Sequence, residues 1–271
     1  MNEDRFMQGK VCLVTGATSG IGAVTAEALA RNGATVAIVG RSPKKSADIV
    51  DRIKSQTGNT KVDYLLSDLS SFNEIRRLAK EFKTRFARLD ILINNAGGLF
   101  MKRQTTVDGI EMTFALNHLA YFLLTNLLLD MLKANAPARI VNVSSMAHQG
   151  ARLDFGNLLV PGWDGYKRSK LANLLFTYEL ARRLEGTGIT ANALHPGLVA
   201  SNFGMNNPGL FRLLKPLMNL FSITNEQGAQ TSIYLASSSE IDGVSGKYFV
   251  KCRPVPSSEA SYDKASATRL W

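Results

Sequence analysis

Val11-Cys12-Leu13-Val14-Thr15-Gly16-Ala17-Thr18-Ser19-Gly20-Ile21-Gly22 is the stretch whose reading decides the fold. Its first five residues form a short apolar run, the pattern of a buried strand. The residues that follow it, 23–31 (AVTAEALAR), have strong helix character. Between the two lie three glycines spaced G-x-x-x-G-x-G, so the order is strand, glycine-rich turn, helix. Glycine lets the chain bend tightly, and it lets a pyrophosphate approach the amide N–H groups at the start of the helix. An ordinary β–α turn can also be glycine-rich. Three glycines at this spacing, after a strand and opening a helix, favour a nucleotide.

Outward from this unit the same alternation continues to the end of the chain. Strand-like runs recur at 35–39, 61–66, 91–93, 139–143, 189–194 and 247–250. Helical stretches fall between them, at about 44–58, 108–133, 166–184 and 226–237. There is no repeat, no low-complexity tract and no linker-like break. Strands alternating with helices in this way predict one α/β domain over residues 1–271, a doubly wound parallel sheet. From Arg253 onward the chain is rich in Ser, Ala and charge, and reads as a solvated tail helix.

With 271 residues, 45% apolar and 20% charged, the composition is that of an ordinary soluble globular protein. The two cysteines, Cys12 and Cys252, suggest neither a disulfide framework nor a metal site, and no metal is expected. The first ten residues are polar and show no secretory signal, so the expected location is cytoplasmic. Residues 119–132 are the most apolar long run, but Thr125, Asn126 and Asp130 interrupt it, so it reads as a buried helix rather than a membrane span. A formal charge of +10 fits an anionic ligand, an anionic membrane surface or nucleic acid. Lys and Arg are scattered and no nucleic-acid motif is present. An anionic cofactor is the expectation, with no nucleic-acid partner.

Ligands of open α/β sheets bind outside the carboxyl ends of the strands, and the candidate site residues are found there. The second strand ends in Gly40-Arg41-Ser42, where a site for NAD usually has an acidic residue for the ribose 2′-hydroxyl. Arg41, with Lys44 and Lys45 behind it, suits a 2′-phosphate instead, so NADP(H) is expected over NAD. Asp68 and Leu69 follow the third strand, where they either meet an adenine edge or serve the start of the next helix. Asn94-Asn95-Ala96-Gly97 follows the fourth strand. Its small residues would let a flat ring lie close to the backbone, while Asn94 reads as a structural clamp. Asn117 and His118 lie within an apolar helix and, taken alone, read as satisfied core polar groups. Ser145, at the end of the fifth strand, can hydrogen-bond a substrate oxygen. A hydrolase triad is unsupported, for there is no G-x-S-x-G elbow.

Tyr166 and Lys170 stand four residues apart, which on a helix puts phenol and ammonium on one face. A nearby positive charge lowers the phenol pKa from about 10, and such a tyrosine can act as general acid or base toward a carbonyl or alcohol. The sixth strand runs into His195-Pro196-Gly197-Leu198-Val199-Ala200-Ser201. The basic and apolar segment 202–224 reads as a substrate lid, with 208–221 as a membrane-facing lip, and a core-facing helix pair competes with both.

Taken together, the glycine turn, Asn94 to Gly97, Asn117, Ser145 and Tyr166-x-x-x-Lys170 resemble the short-chain dehydrogenases/reductases. The match runs over essentially the whole chain, and the joint order of the motifs is highly specific. More narrowly, the chain is similar to the branch of retinol dehydrogenases and light-dependent protochlorophyllide reductases. Asn117-His118-Leu119, Ala136-Pro137-Ala138-Arg139, Ser144-Ser145-Met146-Ala147-His148, Ser169-Lys170-Leu171-Ala172-Asn173 and Leu194-His195-Pro196-Gly197 carry that likeness.

The resemblance implies a Rossmann fold with seven strands in the order 3-2-1-4-5-6-7. It implies hydride transfer between NADP(H) and a carbonyl or alcohol, here a lipophilic aldehyde, ketone or retinoid-like substrate. Reduction of a carbon–carbon double bond, as in protochlorophyllide reductases, is the alternative within enzymes, and a non-catalytic NADP-binding regulator is the alternative outside them. Tyr166 would be the acid/base, with Lys170 lowering its pKa and holding the nicotinamide ribose. Ser145 would orient the carbonyl, and Asn117 would hold a water in a proton relay. Gly16, Gly20, Ile21 and Gly22, with Thr18 and Ser19 of the same turn, would meet the pyrophosphate. Asn94, with Ala96 and Gly97, would lie near the ribose. Pro196, Gly197, Val199 and Ser201 would meet the carboxamide. Relatives commonly assemble as homodimers or homotetramers through the long helices near Asn117 and Tyr166.

Overall fold

The computed structural model describes residues 6–199 and 223–271. The apolar runs form β1 (Val11–Thr15), β2 (Thr35–Gly40), β3 (Val62–Leu66), β4 (Ile91–Asn94), β5 (Ala138–Val143), β6 (Ile189–His195) and β7 (Tyr248–Val250), all parallel. Between them run α1 (Gly20–Arg31), α2 (Pro43–Thr57), α3 (Phe72–Arg85), α4 (Met112–Phe114), α5 (Ala120–Ala134), α6 (Gly162–Arg183) and α7 (Asn225–Ser237).

β1 shows why the sheet must be covered on both faces, because all five of its residues are buried. Side chains alternate along a strand, so Leu13 enters one core while Cys12 and Val14 enter the other. The first core is closed by Leu78 and Phe82 of α3, Tyr121, Leu124 and Leu128 of α5, and Phe176 and Leu180 of α6. The second is closed by Leu29 of α1, Ile53 of α2 and Leu235 of α7. Each fully buried Leu or Phe contributes roughly 1.5–3 kcal/mol of transfer free energy. Met112–Ala134 is the one stretch of helix among the described residues that is long and apolar enough to cross a membrane, and it lies against this core.

Among the described residues the sheet has eight strands in the order β3-β2-β1-β4-β5-β6-β7-β8, which corrects the expectation of seven. β8 (Arg253–Val255) folds back antiparallel on β7, with Val250 opposite Arg253. The two residues between them, Lys251 and Cys252, both have positive φ, 51° and 61°. Two-residue hairpin loops need such angles, usually supplied by Asn or Gly. Lys-Cys gives no such signal.

Two helices also differ from expectation. The predicted helix at 108–133 begins at Met112 and passes through a π turn, Ala115–Leu119, before α5. The tail is not a solvated helix. α8 (Lys264–Leu270) packs on α6, and the Trp271 ring stacks 5.8 Å from Phe176 with the Arg183 guanidinium 4.2 Å over it. The lid expected at 202–224 lies outside the described residues as far as 222, as do its lip at 208–221 and Ser201. Ile223 bridges to Val199, and Thr224 caps α7.

Candidate active site

The carboxyl ends of β1, β4, β5 and β6 converge on one cleft, and the turn after β1 forms its first wall. Gly16 and Gly20 have φ of +65° and +59°, which only glycine adopts without strain. Gly16 also lies against the β4 loop, because a Cβ there would sit 2.7 Å from the Cα of Ala96. At Gly22 a Cβ would be 2.5 Å from Asn95 Nδ2. Asn95 explains the closeness: its amide donates to the carbonyl of Thr15 at 2.8 Å, tying the ends of β4 and β1 together. Ser19 precedes α1 without a side-chain cap, and the first turn of α1 carries no acidic residue. The leading amides of α1 are thus matched to an anion, which is what a pyrophosphate requires.

At the end of β2, Thr18 lies over Gly40, where a Cβ would approach Thr18 Cγ2 to 2.3 Å. Charge at this edge therefore comes from the next residue, the exposed Arg41. Lys44 is engaged by Asp48 at 2.8 Å, and Ser42 caps α2, whereas Arg41 has no carboxylate partner among the described residues. After β3, Ser71 caps α3. Asp68 stays exposed and accepts from Ser70 Oγ at 2.8 Å, and Leu69 is buried in the core.

Asn94 is fully buried and ties β4 to its neighbours, donating to Asn142 Oδ1 at 2.8 Å and Thr125 Oγ1 at 3.0 Å. Its side chain is thus turned into the sheet, and what faces the cleft here is the backbone of Ala96 and Gly97. A Cβ on Gly97 would be 3.1 Å from Asn117 Oδ1 and 3.7 Å from Lys170 Nζ. The bare backbone at this point leaves a flat floor beside the lysine. On the β6 side, Gly197 has φ +96° and Val199 packs against Gly228 at the start of α7.

Ser145, Tyr166 and Lys170 come together at the end of β5. Ser145 opens a tight turn and accepts from the Ala147 amide at 3.2 Å, while its hydroxyl lies close enough to the Tyr166 phenol to lower its pKa. Tyr166 and Lys170 share the inner face of α6, with the Lys170 nitrogen 5.7 Å from the Tyr166 ring centre and donating to the Val143 carbonyl at 3.0 Å. The expected lowering of the phenol pKa does not follow from this geometry. Burial raises Tyr166 to about 12, and the neighbouring Ser145 hydroxyl opposes it. Burial also lowers Lys170 to about 7, so at neutral pH it is no longer fully charged.

The π turn aims Asn117 at the loop after β4. Its amide accepts from the Gly98 N–H at 2.8 Å and donates to the Gly98 carbonyl at 2.9 Å and to Ser169 Oγ at 3.0 Å. Its own carbonyl accepts from Asn173 Nδ2 at 2.9 Å. Asn173 was not among the sequence-derived candidates. It lies in the Ser169-Lys170-Leu171-Ala172-Asn173 run, and three residues past a lysine is the same helix face. Its Oδ1 meets His118 Nδ1 at 3.2 Å, and burial lowers His118 to about 4, so that ring is neutral. Trp163 was missed as well. It is half exposed at the mouth of the cleft and stacks on Tyr166, ring centres 5.4 Å apart.

Comparison with known proteins gives the arrangement a family. Residues 10–208 match the short chain dehydrogenase family. The chain belongs to that family. Within it the chain falls in the retinol dehydrogenase-like branch: it is 44% identical to retinol dehydrogenase 12 of Mus musculus, over 97% of this chain and 84% of that protein. Among solved structures it resembles an uncharacterized protein from Mycobacterium paratuberculosis, with TM-score 0.78 and 34% identity over 98% of this chain and 91% of the other. It also resembles the Pseudomonas aeruginosa RhlG/NADP active-site complex, with TM-score 0.73 and 30% identity over 92% and 97%. As a short-chain dehydrogenase the protein is an oxidoreductase that uses a nicotinamide cofactor and acts on a small molecule.

Proposed function

We propose that this short-chain dehydrogenase is NADP(H)-dependent and interconverts a lipophilic aldehyde or ketone and its alcohol, with retinoid-like molecules among its substrates. The observation that carries the reading is the convergence of the Ser145 hydroxyl, the Tyr166 phenol and Lys170, the last two on one helix face with the lysine nitrogen 5.7 Å from the phenol ring centre. The bound cofactor supplies or accepts the hydride. Ser145 holds the substrate oxygen beside the phenol, and Tyr166 gives that oxygen a proton or takes one from it. Lys170 holds the ribose and, once charged, favours the phenolate. The uncapped start of α1 binds the pyrophosphate. Asn117 keeps the Gly98 loop in place, fixing the floor beside Lys170.

NADP over NAD is supported by Arg41 at the end of β2, an exposed cation without a carboxylate partner among the described residues. Retinol dehydrogenase 12 of Mus musculus lends its substrate class to the proposal by likeness. Assembly as a homodimer or homotetramer through α5, whose Leu127 is only partly buried, is checked by sedimentation.

The test is NADPH consumption with a panel of aldehydes, ketones, retinal and quinones. Tyr166→Phe is expected to reduce turnover by about 10²–10⁴-fold with NADPH affinity kept, and near-full turnover in this variant would overturn the assignment. Arg41→Asp should shift preference toward NAD. Unchanged NADP affinity would remove Arg41 from the 2′-phosphate site.

A further inference from the structure

His148 lies three residues past Ser145, fully buried, and the reading above gives it no role. Both of its ring nitrogens are used. Nδ1 meets the Ser145 carbonyl at 2.5 Å, and Nε2 receives the Ser258 backbone N–H at 3.1 Å. A carbonyl only accepts and an amide N–H only donates, so Nδ1 must carry the proton and Nε2 must be bare. The geometry therefore selects one neutral tautomer. The ring is further held edge-on to Tyr248, 5.1 Å between centres.

What Nε2 holds is the C-terminal segment, and that segment is anchored to the helix bearing Tyr166 and Lys170. Ser257 Oγ bonds the Tyr178 hydroxyl of α6 at 2.7 Å, and Tyr262 stacks on the Tyr178 ring at 5.3 Å, nearly parallel. A closed path thus runs from α6 through Ser257 and Ser258 to His148 and on to Ser145. It ends at the residue whose hydroxyl lies beside the Tyr166 phenol. Ser145 Oγ accepts from the Ala147 amide, which leaves its own proton for donation.

We propose that His148 is a positioning residue: as a neutral bridge between the Ser145 carbonyl and the Ser258 amide, it lets the C-terminal strap set the Ser145 hydroxyl against Tyr166. This rests on the oxidoreductase reading for its consequence, and on the two hydrogen bonds for its structure. Burial lowers the pKa of His148, which keeps the bridge neutral, while its Ser145 bond acts in the opposite sense.

The two bonds can be cut separately. An asparagine amide reaches where Nδ1 is and a glutamine amide reaches where Nε2 is. His148→Asn therefore keeps the Ser145 bond and loses the strap, and His148→Gln does the reverse. Both variants are expected to lower kcat on the order of tenfold, because orientation of the hydroxyl needs both ends, with the NADPH Kd within twofold of wild type. In hydrogen exchange the Ser258 amide should be protected in wild type and in His148→Gln and exposed in His148→Asn. Nitrogen NMR of the wild type should show a protonated Nδ1 and a bare Nε2. The other tautomer, a kcat within twofold of wild type in either variant, or equal losses of kcat, NADPH affinity and thermal stability would each overturn the proposal. If the wild-type enzyme turns over nothing in the carbonyl panel, the functional reading fails, and the NMR and exchange data still decide whether the bridge exists.

Discussion

Replacing Lys170 with methionine should make the nucleotide-free protein more stable while stopping turnover. Lys170 is 4% exposed, and burial takes its pKa from 10.5 down to about 7. In the unfolded chain the amine is fully charged at pH 7. In the fold burial leaves it partly uncharged, and a shift from 10.5 to about 7 corresponds to about 4 kcal/mol of destabilisation. Methionine has similar length, fills the same space and carries no charge. It gives up the hydrogen bond to the Val143 carbonyl, worth about 1 kcal/mol, but that oxygen keeps a longer contact from Asn173 Nδ2 at 3.4 Å. The net gain is about 2–3 kcal/mol at pH 7. The folded pKa is depressed, so the cost is absent above pH 10.5 and complete below pH 7. Urea unfolding of both proteins at pH 7 and at pH 10.5 measures this. The advantage of the variant should vanish or reverse at the higher pH. A less stable variant at pH 7, or a gain that is the same at both pH values, would refute the reasoning.

Two further outcomes rest on the same geometry. Gly22→Ala pushes a methyl group onto Asn95 Nδ2 and the Gly16 carbonyl, at 2.5 and 2.6 Å, so it should cost about 1–3 kcal/mol and weaken NADPH binding, seen in thermal denaturation and titration. His118 is neutral in the fold with a pKa of about 4 against 6.5 unfolded, so its contribution is present above pH 6.5 and lost as the pH falls toward 4. Between pH 7 and pH 4 the wild type should lose about 3 kcal/mol more than His118→Phe in urea unfolding, and equal losses would show that His118 titrates normally.

Much of the fold could be read before any coordinates, because it rests on local rules. The VCLVT run, the glycine turn and the helix after it are legible because a buried parallel strand has no polar face and a tight turn needs glycine. The strand ends were found within a residue or two for the same reason. The hairpin that adds β8 was not, since Lys251 and Cys252 adopt positive φ without being Gly or Asn. The tail looked solvated because its seven-residue helix has little pattern of its own. Trp271 is held by Phe122, Phe176 and Arg183, all remote in the chain.

The site divides along the same line. Sequence by itself determined that Tyr166 and Lys170 share a helix face and that Ser145, Asn117 and the glycine turn occur in family order, since helix spacing and motif order are properties of a linear chain. Only the tertiary structure decided which protonation states the site favours, because desolvation depends on everything packed around a group. It also decided that Asn173 and His148 join the site, through partners tens of residues away or at the far end of the chain. Hydrogen bonds between distant segments leave no spacing to read, and that is where the refinement of this active site resides.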